Sequence, residues 1–413
     1  MVVALIQNVG ILHQPSNKKM KDKIKHSLKQ IDYKLYGTLL VFGLLPTIYT
    51  TVRISFLGDL PEDWGFNIAS QLSWVNIIYE VLQEAILLPI FFLLGKSLIN
   101  KNEFENKIKS GLIVTFSIYA VMSILLFIFV KPLLSLMNQK EEIIVATSTY
   151  IRLETIASTI NIIVQYLILI LIIIKKEKYL LGILFIQMLG TILLDIFLIS
   201  SLPISLNIGV NGVAISNIII NIVLSIILYK YFKKENFNII SKDKISFLWM
   251  RDWAKVGGYS GLESFIRNLA FMLMVLKMVN TVGEQGTFWI ANSFIWGWLL
   301  LPILQLGKLI KRDCGEYNNQ AISEKTIGYF ILTGFIVLLW IISIPLWQTF
   351  MHNVMNIQDD TKVFNIVLIS LGFYILFAFN NVIDSIFYGI GKTNYMLFQS
   401  IIVNTLLYGT LFI

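Results

Sequence analysis

Ionisable residues stand inside long apolar runs of this chain, and each needs a physical reason to be there. Glu80 and Glu84 are four residues apart in LSWVNIIYEVLQEAILLPIFFLL, so a helix places both carboxylates on one face. Two close carboxylates raise each other's affinity for a proton or a cation. Glu263 and Arg267 have the same spacing with opposite charges, which suits a direct ion pair. Asp195 and Asp384 each stand alone in their runs, and Arg53 interrupts LLPTIYTTVRISFLG. A charge at the bilayer centre costs about 2.5–3.5 kcal/mol on insertion scales, so such residues mark ion handling or pairs that hold helices together. On the first reading Glu80, Glu84, Asp384, Asp195 and Glu263 are candidates for cation coupling. On the second, Glu80 and Glu84 form a structural pair neutralised by Arg53 across a helix gap, and Glu263 is simply held by Arg267. Arg152 and Glu154 are read at the outer start of a helix, with Arg152 and Lys277 reaching the interface.

Other chemistries lack material. The three histidines, His13, His26 and His352, lie outside the apolar runs, so a multi-histidine metal centre is not expected. Neither a GxSxG nor a P-loop is present. Cys314 is the single cysteine, which excludes an intramolecular disulfide. No enzyme is expected, and no cofactor beyond H⁺ or Na⁺ as a coupling ion. Trp289, Trp296 and Trp298 form an aromatic group that suits either flat cationic compounds or an interfacial belt.

These residues need elements to position them. The chain has 413 residues, 56% of them hydrophobic and 14% charged. A water-soluble core cannot absorb that much apolar surface, so the solvent is partly lipid. Eleven apolar helices are predicted: 33–57, 66–94, 111–130, 143–174, 179–200, 209–232, 256–282, 287–310, 326–350, 363–390 and 395 to the end. The formal charge of +8 sits mostly in alternate loops, which reads as membrane orientation rather than nucleic-acid binding. The tail before the first helix, KKEK and KLIKRDCGE are basic, whereas GDLPEDWG, GEQG and MHNVMNIQDD are acidic. This alternation places the N-terminus in the cytoplasm. Residues 1–19 are read as a loose tail or a mis-assigned start. The last stretch, NTLLYGTLFI, ends inside an apolar run, so a twelfth helix is expected to be missing.

One phrase is written twice. LLPIFFLLGKSL begins at Leu87 and LLPILQLGKLI at Leu300, with Pro89 and Pro302 at matching places 213 residues apart. Both prolines are expected to kink their helices. A second correspondence links TSTYIRLETIASTINIIVQYLILILIIIKKEKYLLGILF with TKVFNIVLISLGFYILFAFNNVIDSIFYGIGKTNYMLF. Six helices separate the copies, which keeps their orientation, so the repeat is parallel. The reading is an all-α polytopic membrane protein with two pseudo-symmetric six-helix lobes around a central cleft. Residues 1–32 form a basic cytoplasmic tail, 33–232 the first lobe, 233–252 a cytoplasmic linker and 253–413 an incomplete second lobe.

Four stretches carry a family resemblance: LLPTIYTTVRISFLG, YIRLETIA, NIGVNGVAISNII and FYGIGKTNY. In order and spacing the chain resembles the multidrug and toxic-compound extrusion (MATE) transporters, within the superfamily that includes lipid-linked oligosaccharide flippases. The resemblance implies twelve helices, alternating access and a cation site at an acid five residues before Gly58, where this chain has Arg53. In the seventh helix the family acid falls near Arg267 and Asn268, with Glu263 one turn earlier. In the tenth it falls near Asn380 or Asn381, with Asp384 one turn later. Arg53, Arg267, Asn268, Asn380, Asn381, Trp296 and Trp298 are therefore the residues expected to face a cleft or substrate.

Three functions are open at this point. One is export of amphipathic organic compounds, drugs or toxins, by H⁺ or Na⁺ antiport. The second is flipping of a lipid-linked oligosaccharide or other anionic lipid, which would need Arg53, Arg267 and Lys277 facing one cleft. The third is a non-transporting remnant or scaffold. The partners expected are a small organic molecule and the bilayer of the cell membrane, with the chain a monomer.

Overall fold

The computed structural model describes residues 17–60, 64–97, 100–174, 176–235, 237, 245–317, 319–390 and 392–402. Regular structure among them is helical. The first sixteen residues, residues 236 and 238–244 of the 233–252 linker and the end of the eleventh predicted helix lie outside the described residues.

A short basic helix, α1 (Asn17–Lys29), precedes the first long apolar helix, α2 (Tyr33–Leu57). Asp32 starts α2: its carboxylate accepts the Leu35 N–H at 3.0 Å. That bond, aided by Arg312, holds Asp32 below the usual carboxylate range. The predicted second helix is two, α3 (Trp64–Ser70) and α4 (Leu72–Ser97). They break at Gln71, whose side chain exchanges hydrogen bonds with Asn280 at 2.7 and 3.1 Å. Then follow α5 (Lys101–Leu136), α6 (Glu141–Ile173), α7 (Glu177–Leu198) and α8 (Val210–Lys234). Asn100 caps α5 by accepting the Glu103 N–H, and Asn138 follows it at φ 57°, a left-handed setting that asparagine tolerates.

The seventh predicted helix is α9 (Met250–Phe271), a π turn at Met272–Leu276 and α10 (Lys277–Thr281), closed by Gly283 at φ 75°. The eighth is α11 (Gln285–Phe294), a π turn at Ile295–Leu299 and α12 (Leu301–Tyr317). The last three are α13 (Asn319–Asn353), α14 (Asp360–Gly389) and α15 (Thr393–Ile402). Among the described residues seven helices are long and apolar enough to cross a membrane, or eight if the pair α11–α12, bent by 53°, counts as one span. α4 and α9 carry the charges that interrupt their apolarity. The chain is a multi-pass membrane protein.

Two compact units emerge from the packing. One contains Met1–Thr47, Ala291–Asn353 and Asp359–Met396. Its core joins Ile31 and Tyr36 to Leu306, Leu309, Tyr329, Val382 and Ile386. Asp313, almost fully buried, accepts bonds from Lys325 at 2.8 Å and the Tyr329 hydroxyl at 2.6 Å. Gly307 lets α14 close on α12, since a Cβ there would meet Asn381 and Ser385 at 2.8 Å.

The other unit contains Ile48–Ile290 with two short later pieces. The units differ from the stretches 33–232 and 253–413 marked by the repeat, because α9 packs along α4. Glycines explain this. A Cβ on Gly257 would strike the Ala85 carbonyl, and one on Gly261 would come within 2.6 Å of the Ala85 Cβ. Trp253 donates to the Ile86 carbonyl at 2.9 Å, and Ser260 to that of Glu84 at 2.8 Å. Backbone-to-backbone approach of this kind is how helices associate in lipid, where apolar burial provides no drive.

The packing gives a first prediction. Gly257→Leu should destabilise the unit by about 1–3 kcal/mol through overpacking. Gly258→Leu, whose Cβ would meet nothing within 4 Å, should leave stability unchanged. Thermal unfolding in detergent micelles checks the pair.

Candidate functional site

Ionisable side chains of the larger unit gather in two places. In the first, α2 brings Arg53 against α7. Its Nε donates to Asp195 Oδ2 at 2.7 Å and an Nη to Oδ1 at 3.1 Å, a bidentate pair. The other Nη donates to the Asn217 side-chain carbonyl at 2.9 Å, from α8. The Asn217 amide then donates to Glu154 on α6 at 2.9 Å. Four helices thus meet in one chain of bonds. Asp195 and Glu154 are 1% and 3% exposed, so both carboxylates are shielded from water, while Arg53 and Asn217 are partly buried.

One sequence reading of these residues changes: Arg53 serves Asp195 rather than Glu80 and Glu84. Asp195 and Arg53 are 142 positions apart, a pairing no local spacing reveals. Glu154 was read at the start of its helix. That helix begins at Glu141, so Glu154 lies more than three turns inside and is buried. Asn217 carried no charge to draw attention, although it sits in the stretch NIGVNGVAISNII.

The second group surrounds Arg267 on α9. The expected contact with Glu263 forms, Nε to Oε1 at 3.3 Å. Two more carboxylates arrive from α4: Glu80 at 3.4 Å and Glu84 at 3.1 Å. Three carboxylates converge on one guanidinium. Glu80 and Arg267 keep 43% and 41% of their side-chain surface exposed, so this group, unlike the first, is reachable. Alongside lies a cavity of about 440 Å³ between α4 and α6, with Tyr119 of α5 contributing.

The remaining predicted residues are placed as follows. Asn268 bonds back to Ser264 on its own helix at 3.1 Å, and Asn380 donates to Asp384 at 2.8 Å. Asn381 donates to the Ile303 carbonyl at 3.1 Å, joining α14 to α12. The tryptophans do not form one group. Trp289 packs on Phe66, Trp296 on Tyr374 and Phe377, and Trp298 on Phe350. Trp296 and Trp298 stand in the π turn Ile295–Leu299, two positions apart and so on different faces of the helix. Pro302 follows the 53° bend, and its carbonyl accepts the Tyr36 hydroxyl at 3.0 Å. Pro89 lies within continuous α4, so the two prolines are not equivalent in the fold. Among the described residues no group of three or more His, Cys, Asp or Glu is disposed to hold a metal ion.

With the geometry in place, comparison with known proteins is informative. A family model, MatE, matches residues 99–197, which carry Glu154 and Asp195. The solved structures that resemble the chain include an inward-facing multidrug resistance MATE family transporter of the MOP superfamily. It aligns at TM-score 0.70 and 16% identity, over 90% of this chain and 89% of that one. Residues 99–197 thus match the MatE family model, and the chain has the fold of the MATE transporters. A mutant Vibrio cholerae MATE transporter aligns at TM-score 0.69 and 15% identity, over 92% and 88% of the two chains. A MOP superfamily transporter from Pyrococcus furiosus aligns at 0.72 and 15%, over 94% and 88%. Its binding pocket is described as having reverse polarity that suggests a different function. No curated protein matches the chain by sequence. In this MATE fold, the position that the family resemblance assigns to a cation-binding acid holds the Arg53 guanidinium.

Asp195→Asn would leave Arg53 buried without its carboxylate and should cost about 3–5 kcal/mol. Combining Arg53→Met with Asp195→Leu removes both charges and should recover most of that loss. Unfolding midpoints of the wild type and these two variants check the sign.

Proposed function

We propose that this chain is a secondary active transporter that exports amphipathic organic compounds in exchange for protons. The observation that carries the proposal is the buried network of Arg53, Asp195, Asn217 and Glu154. Among the described residues it holds one guanidinium and two carboxylates. Asp195 takes both forks of the guanidinium, so Glu154 is the acid whose charge must be met another way. A proton meets it at little steric cost. A sodium ion would need several oxygen ligands in a place the guanidinium already fills.

Protonation of Glu154 lets Asn217 rotate or release its amide donor, which changes how α6 is tied to α2 and α7 through α8. The Arg267 group responds to charge in the same way: adding a proton to one of three crowded carboxylates relieves repulsion and loosens the tie between α4 and α9. Substrate and proton favour different packings, and their competition drives alternating access. The alternation of basic and acidic loops supports a cytoplasmic N-terminus.

Flipping of an anionic lipid is the second reading, and the reverse-polarity neighbour keeps it in view. It calls for cationic groups facing the ligand together. Here Arg53 is engaged by Asp195, and Arg267 lies among three carboxylates, which favours export.

Proteoliposomes with imposed gradients test the proposal. A pH gradient should drive efflux of a fluorescent amphipathic compound, and Glu154→Gln should lower that rate at least about tenfold, an effect on the scale of one lost buried charge. Glu84→Gln should weaken the pH dependence more mildly. Efflux that follows a Na⁺ gradient, or that ignores Glu154→Gln, would overturn the assignment.

A further inference from the structure

The cavity beside Glu80 has a lining unlike that expected for flat apolar cations. Two helices face it with polar stripes at helical spacing. On α4 these are Asn76, Glu80 and Gln83, and on α6 they are Asn161 and Gln165. Of the four primary amides, Gln83, Asn161 and Gln165 sit well inside membrane-length helices, and Asn76 stands in the second turn of α4. None hydrogen-bonds to another protein group among the described residues, whereas polar side chains inside lipid-facing bundles ordinarily find partners there.

The floor adds a second feature. The rings of Tyr79 and Tyr119 lie nearly parallel, 13° apart with centroids at 5.8 Å. Their hydroxyls are already engaged, Tyr79 with Ser123 at 2.7 Å and Tyr119 with the Tyr79 carbonyl at 3.3 Å. They therefore offer the cavity chiefly ring surface. The one charged group lining it, Glu80, is held by Arg267.

We infer that this cavity binds the hydroxyl-rich, uncharged head of a glycosylated amphipathic compound. Each amide presents N–H donors and a carbonyl acceptor in a fixed fork. A sugar hydroxyl both donates and accepts, so neighbouring hydroxyls satisfy such forks in pairs, while the C–H face of the ring rests on the tyrosines. An aromatic cation without hydroxyls would strip water from the amides and leave them unsatisfied, which sites built for hydrogen bonding discriminate against strongly. The volume, about 440 Å³, falls within the roughly 300–1,000 Å³ common for small-molecule pockets. Leu87 and Ile162 provide an apolar margin for the start of a tail. The inference deepens the exporter proposal by naming the substrate class, and it rests on that proposal only for the direction of movement.

Binding is measured without any gradient, on the full chain in lipid nanodiscs, with p-nitrophenyl β-maltoside and tetraphenylphosphonium as probes. The maltoside should bind. Gln83→Leu combined with Asn161→Leu should weaken it about tenfold or more, as expected for two lost hydrogen-bonding groups, and leave tetraphenylphosphonium within about twofold. Gln83→Glu with Asn161→Asp keeps size but removes the N–H₂ donors. It should also weaken the maltoside, and unfolding midpoints identify any variant that has lost its fold. Tetraphenylphosphonium binding with no maltoside binding overturns the inference, as does equal loss of both probes in a folded variant. Maltoside binding as described, together with proton-independent efflux, would remove the exporter's coupling ion and leave the cavity's ligand class standing.

Discussion

A charge carried to the depth of a bilayer must meet its opposite, and here that constraint ties the helices together. The Arg53 fork reaches Asp195 on α7 and Asn217 on α8, and Asn217 extends the connection to Glu154 on α6. Remove the guanidinium and these helices lose their common point. Arg267 does the same for α4 and α9, where glycine has already brought the backbones close. Association in lipid depends on small residues and polar contacts, because burial of apolar surface gives little between helices already bathed in hydrocarbon. Both devices operate along the α4–α9 seam.

Much of the architecture was readable from residue order. Apolar runs with charged breaks located most of the long helices to within a few residues, because length and hydropathy are properties of contiguous sequence. Helices α5 and α13 begin well before the predicted 111 and 326, since their first turns are polar. Interruptions were not readable. The break at Gln71 depends on its amide exchange with Asn280, 209 positions away. The π turns at Met272–Leu276 and Ile295–Leu299 add one residue per turn without changing hydropathy. For charged residues the same division holds. Glu263 and Arg267 are one turn apart, so their contact was expected. Arg53 and Asp195 meet only through tertiary packing, and the expected link from Arg53 to Glu80 and Glu84 gave way to Arg267. Glu154 was placed near the outer surface because its burial depends on α8, whose Asn217 reaches it from 63 positions away.

The two clusters also differ in what they can do. The carboxylates of the Arg53 network are buried, so on the proposed mechanism a proton reaches Glu154 through a conformational opening or a path along neighbouring side chains. The Arg267 group is partly exposed and adjoins the amide-lined cavity through Glu80. A ligand seated there touches the same carboxylate that Arg267 holds. Binding and charge state are then linked by one side chain, the physical requirement for a substrate and an ion to influence each other. Linkage of this kind is reciprocal: a ligand that weakens the Glu80–Arg267 contact is itself weakened by that contact by the same factor.

Why arginine at position 53, rather than a free cation? A lysine would present a point charge and could lose its proton when buried, whereas guanidinium stays charged and its planar fork matches both oxygens of Asp195. A bound metal ion would come and go with concentration. A tethered guanidinium is always present, and its reach is limited by its own helix. It therefore neutralises Asp195 permanently and, on the proposed mechanism, leaves Glu154, joined to the guanidinium through the neutral amide of Asn217, as the group of this network whose charge varies. A fixed cation beside one acid and a neutral relay to the next makes a two-carboxylate site respond to one proton at a time.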